Sequence, residues 1–317
     1  MESELAGKVL EGNILAAARL IGEIENEMPN AFEELNSLYP HTGRAGIVGI
    51  TGAPGVGKST LIDSLIGIFR KQGMTVGVIA IDPTSPFSGG AILGDRIRMQ
   101  QHNLDKGVFI RSLATRGWAG GLSKATISTI HVMDAMGKDI ILVETVGAGQ
   151  AEIDIVRVAD TAVVILTPEV GDEIQVMKAG ILEAADIFVI NKADRGGADN
   201  LKMRLEVMLG MKAYLPGEWK PAIILTEAIF NNGIEELADE IRRHKEFLIS
   251  SGELERRRKE RARLELMVAI EGSLKNYIYQ RIDKGDYLEK LIDSLVKRKT
   301  NPHSAALKII NRFSKQL

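Results

Sequence analysis

The chain contains no cysteine among its 317 residues. That excludes a disulfide framework, thiolate zinc sites, iron–sulfur clusters and cysteine nucleophiles. Aromatic residues are scarce, at 5%. No run of 18 apolar residues occurs, so no membrane span is expected. Neither sign of charge dominates: 40 Lys and Arg stand against 42 Asp and Glu, a formal net charge of -2. That balance lacks the basic footprint of a nucleic-acid binder. The first stretch, MESELAGKVLEGNILAAARLIGEIENE, has neither the leader and apolar core of a secretory signal nor the Arg-rich make-up of a transit peptide. With cysteine absent as well, the expected compartment is the cytoplasm. What the chain has in quantity is glycine, 32 residues, and their positions carry much of the reading.

Three segments differ in pattern. Residues 1–43 read as a helical extension. Leu5, Val9, Ile14, Ala17, Ile21 and Ile24 recur at roughly helical spacing. Pro29 interrupts them, a short helix is expected around Phe32 to Leu38, and Pro40, Thr42 and Gly43 mark a boundary. Across 44–250 short β-branched runs alternate with amphipathic stretches. The expected strands are Ile47–Thr51, Thr75–Ile81, Val108–Ser112, Ile140–Glu144, Ala162–Leu166, Ile187–Asn191 and Ile223–Thr226. Their continuous apolar character fits strands buried on both faces of a mostly parallel sheet, hence a doubly wound α/β domain. Residues 251–317 read as helices only: one long helix, then shorter ones around Tyr287–Lys299 and His303–Phe313.

Gly52-Ala53-Pro54-Gly55-Val56-Gly57-Lys58-Ser59 matches G-x-x-x-x-G-K-[ST]. It follows an expected strand and opens an expected helix at Thr60, which is the context the motif requires. The glycines let backbone N–H groups converge on an anion at a helix N-terminus. Lys58 would reach the β- and γ-phosphates, and the Ser59 hydroxyl would sit on Mg²⁺. Asn191-Lys192-Ala193-Asp194 follows another strand and has the form N-K-x-D. A carboxylate at Asp194 can accept from the ring N–H and exocyclic amine of guanine. Adenine presents an acceptor where guanine has that N–H, so the motif selects guanine.

Acidic residues recur at expected strand ends between these motifs. Asp82 opens a Gly-rich stretch that also holds Asp95, and Glu144 begins the segment Glu144-Thr-Val-Gly147-Ala148-Gly149-Gln150. Strand-end position suits nucleotide and metal contacts, with the Gly147 N–H on the γ-phosphate. The alternative is a cap or turn carboxylate, or for Asp95 a pair with Arg96 or Arg98. Arg116, in RSLATRGWAGGLS, suits either a loop-packing role or charge offered to a nucleotide. Ala148 stands directly after Gly147, where a water-positioning side chain would be useful. Intrinsic hydrolysis is therefore expected to be slow and completed by a partner.

GAPGVGKST, DPTSPFSGGAILGDRIRM, RSLATRGWAGGLS, ILVETVGAGQAEID and NKAD together resemble the MeaB group of metallochaperone-type P-loop GTPases, the methylmalonic aciduria type A family. The resemblance runs nearly end to end. It implies a SIMIBI-class G domain, GTP and GDP as ligands with Mg²⁺, and a homodimer formed through the C-terminal arm. It also implies association with methylmalonyl-CoA mutase, with adenosylcobalamin met only through that partner. Asp82, Asp95 and Glu144 match the family's acidic positions around Mg²⁺, and Asp172 and Lys178 match a switch that signals to the mutase. The last base-contacting segment, usually S-A-L, is here Thr226-Glu227-Ala228-Ile229. The backbone contact from Ala228 is retained, while hydroxyl bracing of the loop is not expected.

Other classes weigh less. A GTPase for maturation of another metalloenzyme would commonly carry His or Cys clusters, and the histidines here are scattered. A transport-system kinase or ATPase sits poorly with N-K-x-D. The basic run from Arg256 to Arg263 invites nucleic acid, but Glu253, Glu255, Glu260 and Glu265 lie within helical pairing distance. A solvated helix face or a dimer seam is the expectation.

Overall fold

The computed structural model describes residues 4–82, 100–102, 104–114, 124–145, 151–168, 183–282 and 287–314. The chain divides into two compact units, Met1–Arg261 and Ala262–Leu317. Among the described residues no helix is long and apolar enough to cross a membrane.

The first unit opens with helices α1 (Glu4–Leu10), α2 (Ile14–Glu25) and α3 (Pro29–Leu38). The sequence pattern suggested one helix through Ile24, and the structure breaks it at Gly12 and Asn13. Gly12 adopts φ +82, and the Asn13 side chain accepts from the Ala16 amide at 3.0 Å, capping α2. The five-residue step from Val9 to Ile14 is the trace of that break. Pro29 does not merely interrupt: it starts α3, where its missing N–H costs no hydrogen bond.

Seven strands follow: β1 (Gly46–Gly52), β2 (Val76–Asp82), β3 (Val108–Ala114), β4 (Ile140–Glu144), β5 (Thr161–Leu166), β6 (Ile187–Asn191) and β7 (Ala222–Thr226). Each lies within two residues of its expected run. They form one sheet in the order β3-β2-β4-β1-β5-β6-β7, parallel throughout. Among the described residues, the helices that alternate with these strands are α4 (Lys58–Lys71), α5 (Lys124–Ala135), α6 (Ala151–Val158), α7 (Ala198–Gly210) and α8 (Ile234–Ser250).

The strands are continuously apolar because both faces are covered. Ile47, Ile141 and Val143 join one core with α1–α3, α5 and α6. Their neighbours Val48, Ile50 and Leu142 join another with α4 and α8. On β5 and β6, Val164 and Phe188 pack with Leu201 and Leu205 of α7. The N-terminal helices are thus part of the main core, and Arg111 of β3 also donates to Glu25 of α2 at 2.6 Å.

Three further helices, α9 (Glu253–Ile282), α10 (Tyr287–Val296) and α11 (Pro302–Ser314), complete the chain. The basic run at the start of α9 splits by direction. Arg256 pairs along the helix with Glu253 and Glu260, as spacing suggested. Arg257 and Arg261 instead turn onto the sheet. Arg257 donates twice to Asp186, at 2.8 and 2.7 Å. Arg261 donates to the Val158 carbonyl at 2.6 Å and to Asp160 at 3.2 Å. Asp160 also accepts from the Ile47 amide at the start of β1 (3.0 Å), and Asp186 from the Ala162 amide in β5 (2.8 Å).

His244 of α8 is fully buried beside this network. Its Nδ1 lies 2.9 Å from the Thr161 hydroxyl and its Nε2 3.4 Å from Asp186. Burial pulls its pKa from 6.5 down to about 4, although Asp186 pulls the other way. An unfolded imidazole takes its proton near 6.5, so the unfolded chain binds more protons between the two values. This contribution to stability is intact above pH 6.5 and is lost as pH falls toward 4, by about 3 kcal/mol. Urea unfolding from pH 7 to 4 should show the loss, and His244→Gln should flatten that part of the profile. Equal slopes in both proteins would reject the assignment.

Candidate functional site

All strands run the same way, so the motifs that follow β1, β4, β6 and β7 meet at one edge of the sheet. The order places β1 between β4 and β5, with later strands added on both sides, and ligands bind at such switch points. The loop after β1 passes through Gly57 into α4. Gly57 adopts φ +95, and a Cβ there would lie 2.5 Å from Asn191 Nδ2. A Cβ on Gly52 would collide with the Ile165 carbonyl of β5. Both positions need glycine for backbone conformation as well as space, Gly52 adopting φ +153. Lys58 is buried, and its ammonium donates to the Gly52 and Ala53 carbonyls at 2.8 and 3.1 Å. The Ser59 hydroxyl donates to Glu144 Oε1 at 2.8 Å, and both residues are buried.

Asn191 ends β6 and ties three segments together. Its Nδ2 donates to the Val56 carbonyl at 2.8 Å. Its Oδ1 accepts from the Thr226 hydroxyl at 3.1 Å and the Ala228 amide at 3.2 Å. Lys192 takes a left-handed φ of +57 at the turn that follows. The bracing hydroxyl not expected in the last loop is therefore present, supplied by Thr226. Glu227, standing at the serine position, accepts from Asn232 Nδ2 at 2.6 Å and closes the turn. Ser64 of α4 donates to the Ala228 carbonyl at 3.0 Å.

A cavity of about 400 Å³ joins these parts. Pro54, Gly55, Gly57, Lys58, Ser59, Thr60 and Glu144 line one side; Asn191, Lys192, Asp194, Glu227, Ala228 and Ile229 line the other. Gly52, Ala53 and Val56 stand behind this wall and shape the loop through the carbonyl bonds already given. Thr145, Arg195 and Phe230 also line the cavity and were not singled out from sequence. Each adjoins a motif residue, which is the only signal they carry. Asp82 ends β2, described by its backbone alone. Asp95, Arg116, Trp118, Gly147, Asp172 and Lys178 lie outside the described residues. Among the described residues, no three His, Cys, Asp or Glu side chains gather as a metal cluster.

A phosphate loop and a guanine-type N-K-x-D meeting across one cavity of a parallel α/β sheet define a P-loop GTPase. Residues 17–283 match the family described as methylmalonyl Co-A mutase-associated GTPase MeaB, and the chain belongs to that family. It is 50% identical to a provisionally named GTPase of Pyrococcus abyssi, over 99% of this chain and 97% of that one. It is 30% identical to the GTPase ArgK of Escherichia coli, over 98% and 96%. It is 37% identical to the mouse mitochondrial methylmalonic aciduria type A homolog, over 67% of this chain and 52% of that one. The fold is similar to a crystal structure of an LAO/AO transport system kinase, with a TM-score of 0.71 at 24% identity, covering 98% and 97%.

Proposed function

We propose that this GTPase serves as a chaperone of methylmalonyl-CoA mutase or a related adenosylcobalamin-dependent acyl-CoA mutase. GTP hydrolysis would gate cofactor loading and protect or reactivate the mutase, and adenosylcobalamin would be met only through it. The single observation that carries the nucleotide chemistry is the cavity shared by Lys58 and Asp194. The family description, which names a methylmalonyl Co-A mutase-associated GTPase, supports the mutase as partner. In this reading residues 44–250 do the nucleotide work, the helices of 251–317 mediate self-association, and Asp172 and Lys178 carry the signal to the mutase. Leu266, Ile270 and Leu274 of α9, exposed at four-residue intervals, offer an apolar stripe suited to a homodimer.

Phosphoryl transfer to water needs positioning and charge neutralisation more than covalent chemistry. Lys58 and the amides that open α4 meet the phosphates. The buried Ser59 hydroxyl and Glu144 carboxylate, 2.8 Å apart, are hard oxygen donors that fit Mg²⁺. Asp82 and Asp95 are proposed to complete that set. The ion would neutralise charge on the β- and γ-phosphates. Glu144 and Ser59 hold their oxygens in place through their mutual bond, so the donor pair is preformed.

Asp194→Asn should weaken GTP binding roughly 10- to 100-fold, the size of one lost charge-assisted hydrogen bond. It should favour xanthine nucleotides, whose 2-oxo group accepts where guanine's amine donates. Competition binding with GTP and XTP checks this, and unchanged GTP affinity would refute the role. For the partner, capture of the mutase should differ between GDP and a non-hydrolysable GTP analogue. No capture with either would remove the mutase and leave the GTPase.

A further inference from the structure

Guanine has two kinds of surface. Its edges carry donors and acceptors, which Asp194 is placed to read. Its faces are flat and weakly hydrated, and hydrogen bonds cannot cover them. Residues 228–230 form a short 3-10 turn after β7. Ile229 and Phe230 on it are 74% and 64% exposed, and both line the cavity. Phe230 is the one aromatic residue among the described residues of that wall.

The turn is held from several sides. The Ala228 amide and carbonyl are fixed by Asn191 and Ser64, as above. The Phe230 amide donates to the Glu227 carbonyl at 2.9 Å, and the Glu227 amide to the Asn232 carbonyl at 3.1 Å. Asn231 takes a left-handed φ of +58. An exposed aromatic side chain on so constrained a backbone is presented at a defined place, and burying it against a planar ring would be favourable.

The geometry points to Phe230, backed by Ile229, as the apolar wall on which the purine ring stacks. This rests on the guanine-nucleotide reading of the cavity. It adds a determinant that recognises the face of the base rather than its edge. Stacking is indifferent to the exocyclic groups, so Phe230 and Asp194 contribute separately: one holds any purine, the other chooses guanine.

The test is calorimetric binding of GTP, GDP and ITP to the full chain, its Phe230→Ala and Phe230→Tyr variants, and Asp194→Asn, with thermal unfolding as a control for folding. Phe230→Ala should weaken all three nucleotides alike, by about tenfold, as loss of one base–aromatic stack does. Phe230→Tyr, which keeps the ring, should restore binding. Asp194→Asn should instead alter the preference between bases. If Phe230→Ala binds GTP normally while Asp194→Asn still shifts that preference, the wall is elsewhere and the guanine reading stands. A loss with GTP and GDP but not ITP would also overturn the inference, since a stacking ring does not sense the 2-amino group. Absence of GTP binding by the unaltered chain would remove both readings together.

Discussion

Lys58→Ala should lower GTP hydrolysis by at least about a hundredfold, the scale seen when one preorganised charge-stabilising donor is removed. Lys58 is the cation on the phosphate side of the cavity wall among the described residues. Its ammonium is already desolvated and is held 2.8 Å from the Gly52 carbonyl. Moving from carbonyl dipoles to a polyphosphate exchanges a weak acceptor for a charged one, so the favourable change appears only when nucleotide is present. The interaction should grow as charge redistributes during transfer, which makes the rate suffer more than binding. Single-turnover phosphate release, alongside equilibrium binding of GDP, separates the two. A single-turnover rate within threefold of the original protein would show that Lys58 does not carry this charge.

Asp186→Ala should have the largest effect on stability, a loss of about 3–5 kcal/mol. That corresponds to a fall in melting temperature of roughly 10 °C. The carboxylate is buried and accepts from the Ala162 amide and from both terminal nitrogens of Arg257. Alanine would leave the buried Ala162 amide without its acceptor and the Arg257 guanidinium with the Asp160 carbonyl, 2.8 Å away, in place of a carboxylate, and would remove the anion beside His244. An uncompensated buried charge costs far more than a lost surface pair. Thermal and urea unfolding should show the drop with little change in the dependence on urea. A loss below about 1 kcal/mol would mean that water or another acceptor replaces the carboxylate.

The nucleotide-facing half of this molecule was the more legible in sequence. Seven strands could be placed because burial on both faces writes itself as unbroken apolar runs, and the motifs fall where those runs end. The break at Gly12 and Asn13 leaves only the five-residue step from Val9 to Ile14 in the apolar pattern, a single irregular spacing that does not by itself separate a new helix from scatter within one. Thr226 and Phe230 were not read because their roles depend on approach across space, in the first case to Asn191, 35 positions away. Arg257 shows the same limit more sharply. A helix-spacing argument sees partners three or four residues away, whereas its acceptor Asp186 is 71 residues distant.

The amide of Asn191 touches the phosphate loop with its nitrogen and the base loop with its oxygen. One rigid planar group therefore fixes the distance between the two ends of the ligand. Guanosine and pyrophosphate offered as separate pieces would each meet a half-site set at the spacing of the intact nucleotide. Joining them makes the second contact intramolecular, so the whole should bind more tightly than the two pieces acting independently. Substitutions in the two loops should likewise fail to add, because both act through the same side chain.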